Sequence, residues 1–68
     1  MEYVDLKVEV VGRTPKALKL VHDGQTEWVP RSTLEDHGAE IDEMFFDQPE
    51  DGISIRITEW KAEELGWW

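Results

Sequence analysis

The chain begins with a strict alternation of apolar and polar residues. Between Tyr3 and Gly12, an apolar side chain recurs at every second position. These recurring residues are Val4, Leu6, Val8 and Val10. A period of two places alternate side chains on opposite faces of an extended chain, so the pattern predicts a half-buried strand that ends before Pro15.

Two further strand patterns, "KALKLVH" and "QTEWVP", flank the hairpin dipeptide Asp23-Gly24. A two-residue turn would place Lys19 opposite Trp28, whereas a three-residue loop places Leu18 opposite Trp28. The three-residue loop pairs two apolar side chains across the strands, and such a pair contributes roughly 0.2–1 kcal/mol. We therefore predict that register, with a β-bulge at Gly24 and with Trp28 in the core.

A fourth strand is predicted from Ile53 to Ile57, where isoleucine alternates with polar residues. Thr58 is a suitable cap for a short helix over "EWKAEEL", and Gly66 suits the left-handed position that ends it. The predicted core collects the apolar positions of all four strands: Val4, Leu6, Val8, Leu18, Leu20, Trp28, Ile53, Ile55 and Ile57.

These elements predict one domain over residues 1–68 that is mainly β, within the α+β class. The expected architecture is a small, bent antiparallel sheet or an SH3-like or OB-like barrel. It would contain about four strands and short helical segments, including a C-terminal one. An open sheet with the terminal helix packed on it is the alternative to a closed barrel.

The net charge of −9 is concentrated in one quarter of the chain. Residues 1–34 carry five acidic and five basic side chains, and residues 52–68 carry three acidic and two basic ones. Residues 35–51, here called the acidic insert, carry eight carboxylates and no lysine or arginine. Such a block indicates a solvated loop, a tail or a partner surface, and it repels nucleic acid and anionic membranes.

The acidic insert also contains the apolar run Met44-Phe45-Phe46. If the segment "AEIDEMFFDQ" is helical, Ile41, Met44 and Phe45 share one face at spacings of three and four. We expect that face to pack on the sheet and to hold the carboxylates outward as a rigid array. A solvated loop is the competing interpretation, although connections beyond about 12–15 residues are usually functional or disordered.

A rigid carboxylate array can imitate the phosphates of nucleic acid and compete for the basic groove of a protein that binds it. The expected partner is therefore the basic surface of a nucleic-acid-binding protein, without direct contact between this chain and nucleic acid. The predicted contact residues are carboxylates of the insert, with Phe45 or Phe46 supporting them or inserting at the contact: Glu40, Asp42, Glu43, Phe45, Phe46, Asp47, Glu50 and Asp51.

The sequence predicts no catalytic or metal chemistry. Asp47, Glu50 and Asp51 offer oxygen ligands, but the spacing of a twelve-residue calcium loop is absent and both histidines are isolated. The sequence has no cysteine, no phosphate-binding glycine loop and no nucleophile elbow. We therefore expect no catalytic residues, no metal, no cofactor and no enzymatic activity.

The composition also bears on location. The chain has no apolar run of about 18 residues and no basic-then-apolar start, so we expect no membrane partner. The absence of cysteine fits a cytoplasmic location.

Trp67 and Trp68 have two open roles. They could fold back as a lid on the core, or they could anchor a homodimer or partner interface, where tryptophan is enriched. In the second case the chain would be a generic assembly subunit that uses this end or its sheet edge. Weak binding of single-stranded nucleic acid is a third alternative, but Lys7 and Lys19 alternate with acidic residues and form no uniform positive stripe.

Several short motifs resemble a small domain that recurs in phage and mobile-element genomes. They are Thr14-x-Lys16-Ala17, Asp23-Gly24, Trp28-Val29-Pro30-x-Ser32 and Trp60-x-Ala62 with Gly66-Trp67. The acidic insert lies outside these motifs, and the resemblance implies a phage context rather than a chemistry. In general character the chain is also similar to the inhibitors that phages use against host defence, including anti-CRISPR proteins.

The function expected from these observations is that of a non-enzymatic, phage-type inhibitor. It would bind the basic surface of a host defence protein, such as a CRISPR–Cas complex, in the host cytoplasm. The charge of the insert favours a basic partner, and the resemblance alone supplies the phage context.

Overall fold

The fold is an antiparallel sheet with two short helices packed on one face, and the computed structural model describes residues 2–68. The elements are β1 (Tyr3–Arg13), β2 (Ala17–His22), β3 (Gln25–Pro30), α1 (Ala39–Met44), β4 (Ile53–Thr58) and α2 (Glu59–Leu65), with a 3₁₀ turn at Arg31–Thr33. The strand order is β3-β2-β1-β4. The predicted mainly β, α+β class is confirmed, and the sheet is open because β3 and β4 form its two edges.

The core lies between one face of the sheet and the segments that cross it. In β1 and β4 the buried residues alternate with exposed ones, as the sequence pattern predicts. The strands, the acidic insert and the C-terminal end share one cluster of buried side chains: Val4, Leu6, Val8, Val10, Leu18, Leu20, Val29, Leu34, Ile41, Ile53, Ile55, Ile57, Ala62 and Trp67. Every predicted core residue except Trp28 belongs to this cluster.

The β2–β3 hairpin does not have the predicted register. Lys19 pairs with Trp28 across a two-residue turn, rather than Leu18 with Trp28. Both turn residues are left-handed, with φ of 53° at Asp23 and 82° at Gly24. A turn with two positive φ angles matches the right-handed twist of the flanking strands, and this advantage outweighs one apolar cross-strand pair.

The observed register moves Trp28 from the core to the outer face of the sheet. Val29 is 0% exposed opposite Leu18, whereas Trp28 is 51% exposed. The indole lies beside Gly12, and its ring centre is 5.9 Å from Lys19 Nζ. The predicted burial of Trp28 was wrong because a shift of one residue exchanges the two faces of a strand.

A β-bulge interrupts β1 next to the residue that contacts the acidic insert. The pairing with β2 shifts between Val10 and Gly12, so Val11 has no partner in β2. On its other side, β1 pairs with β4 only as far as Val8, which lies opposite Ile53. The far end of β1 is therefore open on the side where the insert approaches.

The C-terminal helix forms over the predicted residues and closes one end of the core. Gly66 has φ of 77° past the end of α2, and the N–H of Trp67 donates to the Ala62 carbonyl at 2.9 Å. Trp67 is 6% exposed, with its ring 5.3 Å from that of His22. Trp67 is thus a lid on the core, whereas Trp68 is 61% exposed.

The hairpin register can be tested with two substitutions on β3. Val29→Ala should lower the free energy of unfolding by about 2 kcal/mol, because it deletes fully buried methyl groups. Trp28→Thr should lower it by less than about 1 kcal/mol, because the indole lies on the outer face. Urea unfolding measures both values, and a larger loss for Trp28→Thr than for Val29→Ala would restore the register with Trp28 inside.

Candidate functional site

The acidic insert is held on the sheet by its apolar residues, as predicted. Ile41 is 2% exposed within the core, and Met44 and Phe45 pack against that core. The helix is shorter than the expected segment, since α1 ends at Met44, but Phe45 keeps helical backbone angles. The three apolar side chains therefore share one face, and the insert has a defined path above the sheet.

Asp42 is the polar anchor of the insert. Arg31 donates to both carboxylate oxygens, from Nη1 at 2.9 Å and from Nη2 at 3.0 Å, and Arg13 Nη1 donates to Oδ1 at 3.2 Å. The hydrogen bonds from Arg31 hold the pKa of Asp42 below its ordinary value, and they raise the pKa of Arg31. Because Arg31 and Arg13 compensate the charge of the ionised Asp42, we expect this carboxylate to hold the insert in place rather than to contact a partner.

Arg31 connects α1 to the rest of the molecule. Its Nε donates to the Thr14 carbonyl at 2.9 Å, and its Nη1 also donates to the His37 carbonyl at 3.1 Å. Gly38 makes room for this arrangement: a Cβ at Gly38 would lie 2.9 Å from Arg31 Nη1 and 2.8 Å from Leu18 Cδ1. The side chain of Arg31 is only 15% exposed, whereas the carboxylate of Asp42 remains 40% exposed.

Gln48 fastens the other end of the insert to the open edge of β1. Its Oε1 accepts the N–H of Val10 at 3.0 Å, and its Nε2 donates to the Val10 carbonyl at 2.8 Å and to the Phe45 carbonyl at 3.0 Å. Alternate residues of an antiparallel strand face the same neighbour, and Val10 lies two residues beyond the end of the β4 pairing at Val8. The carboxamide of Gln48 therefore takes the place of the next β4 residue.

Sequence reasoning missed the roles of Gln48, Arg31 and Arg13. A single glutamine between Asp47 and Pro49 has no periodic signal, and its partner lies 38 residues away. Nothing local indicates that the two arginines meet one carboxylate, because Arg13 and Arg31 lie 29 and 11 residues from Asp42.

Glu35 and Asp51 also have cationic partners. Arg56 lies 3.2 Å from Glu35, and Lys7 lies 3.5 Å from Asp51. All four side chains are about half exposed or more, so each pair contributes at most about 1 kcal/mol. These pairs reduce the negative field at both ends of the insert without fixing its position.

Five carboxylates of the insert are exposed and form no ion pair within residues 2–68: Asp36, Glu40, Glu43, Asp47 and Glu50. Asp36 instead accepts the backbone N–H groups of Gly38 at 2.9 Å and Glu40 at 3.1 Å. Glu40, Glu43 and Asp47 follow one another along the chain at spacings of three and four residues, and all three are exposed. Glu40 and Glu43 are neighbours on the surface of α1, where this spacing leaves about 5–6 Å between Cβ atoms, whereas Asp47 lies in the turn after α1. We call Glu40, Glu43 and Asp47 the carboxylate row.

The two phenylalanines of the insert have different roles. Phe45 packs against the core, and Arg13 Cζ lies 4.4 Å from its ring centre. Phe46 is 87% exposed and meets Phe45 edge to face, with 5.0 Å between the ring centres. Phe45 therefore supports the turn after α1, and Phe46 presents an aromatic surface to solvent.

An open groove of about 690 Å³ lies between the turn after α1 and the outer face of the sheet. Val11 and Val21 contribute apolar surface to the groove. Phe46, Glu9 and Glu50 also line it. We call this cavity the Phe46 groove. Among the predicted contact residues, Phe46 and Glu50 therefore line the same groove as Glu9 of β1, which the sequence analysis did not single out.

Residues 2–68 contain no cluster of metal-ligating side chains and no helix that could span a membrane. No group of three histidine, aspartate or glutamate side chains in this part of the chain could hold a metal ion. Neither α1 nor α2 has the length and apolar character needed to cross a membrane.

The contact between Arg31 and Asp42 can be tested through its pH dependence. Asp42→Asn should lower the free energy of unfolding at pH 7 by about 1–2 kcal/mol, a value discounted for the 40% exposure of the carboxylate. Because the folded-state pKa is lowered, this contribution is complete above the ordinary carboxyl pKa of about 3.9 and disappears as the pH falls through the folded-state value.

Chemical unfolding at a series of pH values measures this effect. The difference between the wild type and Asp42→Asn should narrow below about pH 4. Asp47→Asn is the matched control and should change the free energy of unfolding by less than about 0.5 kcal/mol. A difference that stays constant through the acid range would contradict the role assigned to Asp42.

The clamp between Gln48 and Val10 can be tested by hydrogen exchange. Gln48→Ala removes the acceptor of the Val10 N–H, so exchange at this amide should accelerate about tenfold, the equivalent of one hydrogen bond. Gln48→Glu keeps the acceptor but loses the donor, and it should give an intermediate rate. Equal exchange of Val10 in all three proteins, measured by NMR, would show that the clamp is absent in solution.

Comparison with known proteins adds no relative: no protein-family model matches the chain, and no curated protein or solved structure is significantly similar to it. The phage resemblance therefore rests on the motifs of the sequence alone. Function has to be argued from the geometry of the acidic insert and the surfaces next to it.

Proposed function

We propose that the protein is a non-enzymatic inhibitor that occupies the basic, nucleic-acid-binding surface of another protein. The observation that supports this proposal is the carboxylate row, Glu40, Glu43 and Asp47, on an insert that packing and hydrogen bonds hold in place. The row is exposed and has no cationic partner within residues 2–68. It is therefore free to meet the lysines and arginines of a partner.

The order of the insert is what distinguishes this surface from an ordinary solvated loop. Ile41 in the core, Asp42 against Arg31 and Gln48 against Val10 fix the insert at three points along its length. A flexible loop with the same charge would lose conformational freedom on binding, and that loss weakens association. A fixed array avoids most of this cost.

The charge of the surface selects the chemistry of the partner. A concentrated negative field accelerates association with a basic surface and makes the affinity sensitive to salt. The same field repels phosphates, which disfavours the alternative of direct binding to single-stranded nucleic acid. A protein that already binds nucleic acid offers the complementary positive groove.

The proposed biological setting follows from the motif resemblance. A phage-encoded protein would act in the host cytoplasm, where defence complexes hold nucleic acid in positively charged channels. A CRISPR–Cas effector is one such complex and is the kind of host target we propose. The geometry of the insert supports the basic channel, and the motifs support the phage context.

A role as an assembly subunit is the second candidate, and the exposure of two tryptophans favours it. Trp60 is 53% exposed and Trp68 is 61% exposed, so both are available for contact. The free edge of β3 is less suitable, because it carries Glu27, and because Pro30 at its end has no N–H to donate to a neighbouring strand. Association through this route would depend on Trp68 rather than on the carboxylate row.

Reversing the charge of the carboxylate row tests the leading proposal. The triple variant Glu40→Lys, Glu43→Lys, Asp47→Lys should lower the affinity for the partner about a hundredfold, since three surface ion pairs of about 1 kcal/mol each are lost. Asp42 is left intact, because a lysine there would face Arg31 and Arg13 and unfold the insert. The matched control, Glu2→Lys, Glu27→Lys, Glu63→Lys, changes the net charge equally at exposed positions elsewhere and should retain most of the affinity.

The partner is obtained by capture from a bacterial lysate, and its nucleic-acid complex is then followed by gel shift. The wild type should displace the nucleic acid, less effectively at high salt, and the row variant should not. The proposal would be contradicted if the row variant displaced the nucleic acid as efficiently as the wild type does. Capture that survives the row variant but is lost when Trp68 is deleted would favour the assembly role instead.

A further inference from the structure

The Phe46 groove has the shape and charge to receive a particular side chain. We propose that it binds an arginine of the partner, with the guanidinium stacked on Phe46 and paired with Glu9 and Glu50. This inference rests on the proposed function and adds to it the residue type that the partner presents. It also separates the contact surface into a row that attracts cations in general and a groove that selects arginine.

The lining of the groove suits a long side chain with an apolar stem. Val11, which the β-bulge leaves 48% exposed, and the half-buried Val21 offer apolar surface for methylene groups. Arginine and lysine both bury their stems on such surfaces while their charged ends remain in contact with water. The volume of about 690 Å³ leaves space for the backbone of the partner segment as well.

The charges around the groove favour a cation. Glu9, Glu50 and Asp51 line it together with Lys7, so three negative charges face one positive charge and leave a local net charge of −2. Lys7 and Asp51 lie 3.5 Å apart with side chains 57% and 77% exposed, so this pair is weak and readily rearranged. Glu9 and Glu50 form no ion pair within residues 2–68.

The aromatic pair favours arginine over lysine. Arg13 Cζ already lies 4.4 Å from the ring centre of Phe45 and 5.4 Å from that of Phe46, which shows that these rings accept a guanidinium. Phe46 is 87% exposed, so most of its surface is free for a second one. A guanidinium is planar and weakly hydrated, and it stacks on aromatic faces more readily than an ammonium group does.

Labelled hexa-arginine and hexa-lysine peptides test the inference by fluorescence anisotropy at low salt. The wild type should bind hexa-arginine about fivefold more tightly than hexa-lysine. Phe46→Leu should remove this preference and leave the affinity for hexa-lysine nearly unchanged. The double variant Glu9→Gln, Glu50→Gln should weaken the binding of both peptides.

Controls on β3 separate the groove from general surface effects. Trp28→Leu and Glu27→Gln change an exposed aromatic and an exposed carboxylate outside the groove, and both should keep the preference for hexa-arginine. A preference that survives Phe46→Leu, or that is lost in Trp28→Leu, would overturn the groove assignment.

The same titration distinguishes failure of this inference from failure of the proposed function. Suppose that the double variant Glu40→Gln, Glu43→Gln binds both peptides more weakly, while the groove variants bind like the wild type. The groove inference is then wrong, and the carboxylate row remains the proposed contact. If the groove variants alone weaken binding, the inference stands and the row is wrong as the main contact. If neither peptide binds, both proposals fail.

Discussion

The guanidinium of Arg31 is the contact on which the acidic insert depends. It joins the carbonyl of Thr14, in the turn before β2, to two groups of the insert, the carbonyl of His37 and the carboxylate of Asp42. It places a positive charge beside a segment whose eight carboxylates repel one another. One carboxylate at the centre of the insert is used to hold the chain in place, and the others are thereby carried to the surface in fixed positions.

Apolar packing and polar contacts hold the insert at different points. Ile41 joins the core under α1, Asp42 meets its two arginines on one side, and Gln48 continues the sheet ladder at the end of the insert. The contacts lie on different strands or turns, so the insert is attached to the rest of the molecule at several separate points. This arrangement explains how a domain of 68 residues can present a strongly charged surface and still keep a defined shape there.

The β-bulge in β1 connects the fold to the two proposed surfaces. It leaves Val11 exposed on the outer face, and β1 continues beyond the end of β4, where Gln48 can pair with Val10. The turn that carries Phe46 therefore lies over the edge of the sheet. The residues of the carboxylate row are exposed, and Asp47 directly follows Phe46 in the chain, so the two proposed surfaces adjoin at this turn.

The sequence by itself determined the elements and the location of the charge. Alternation predicted the strands, Gly66 predicted the end of α2, and composition located the acidic insert, because each of these signals lies in neighbouring residues. The predicted cap does not form, since the Thr58 side chain makes no capping hydrogen bond. The exchange of Trp28 for Val29 in the core follows from the left-handed turn at Asp23-Gly24, a local preference that outweighs one cross-strand pair worth no more than about 1 kcal/mol. Only the tertiary structure decided that two arginines compensate the charge of Asp42 and that Gln48 is a clamp, because their partners lie 11, 29 and 38 residues away and no local pattern links them.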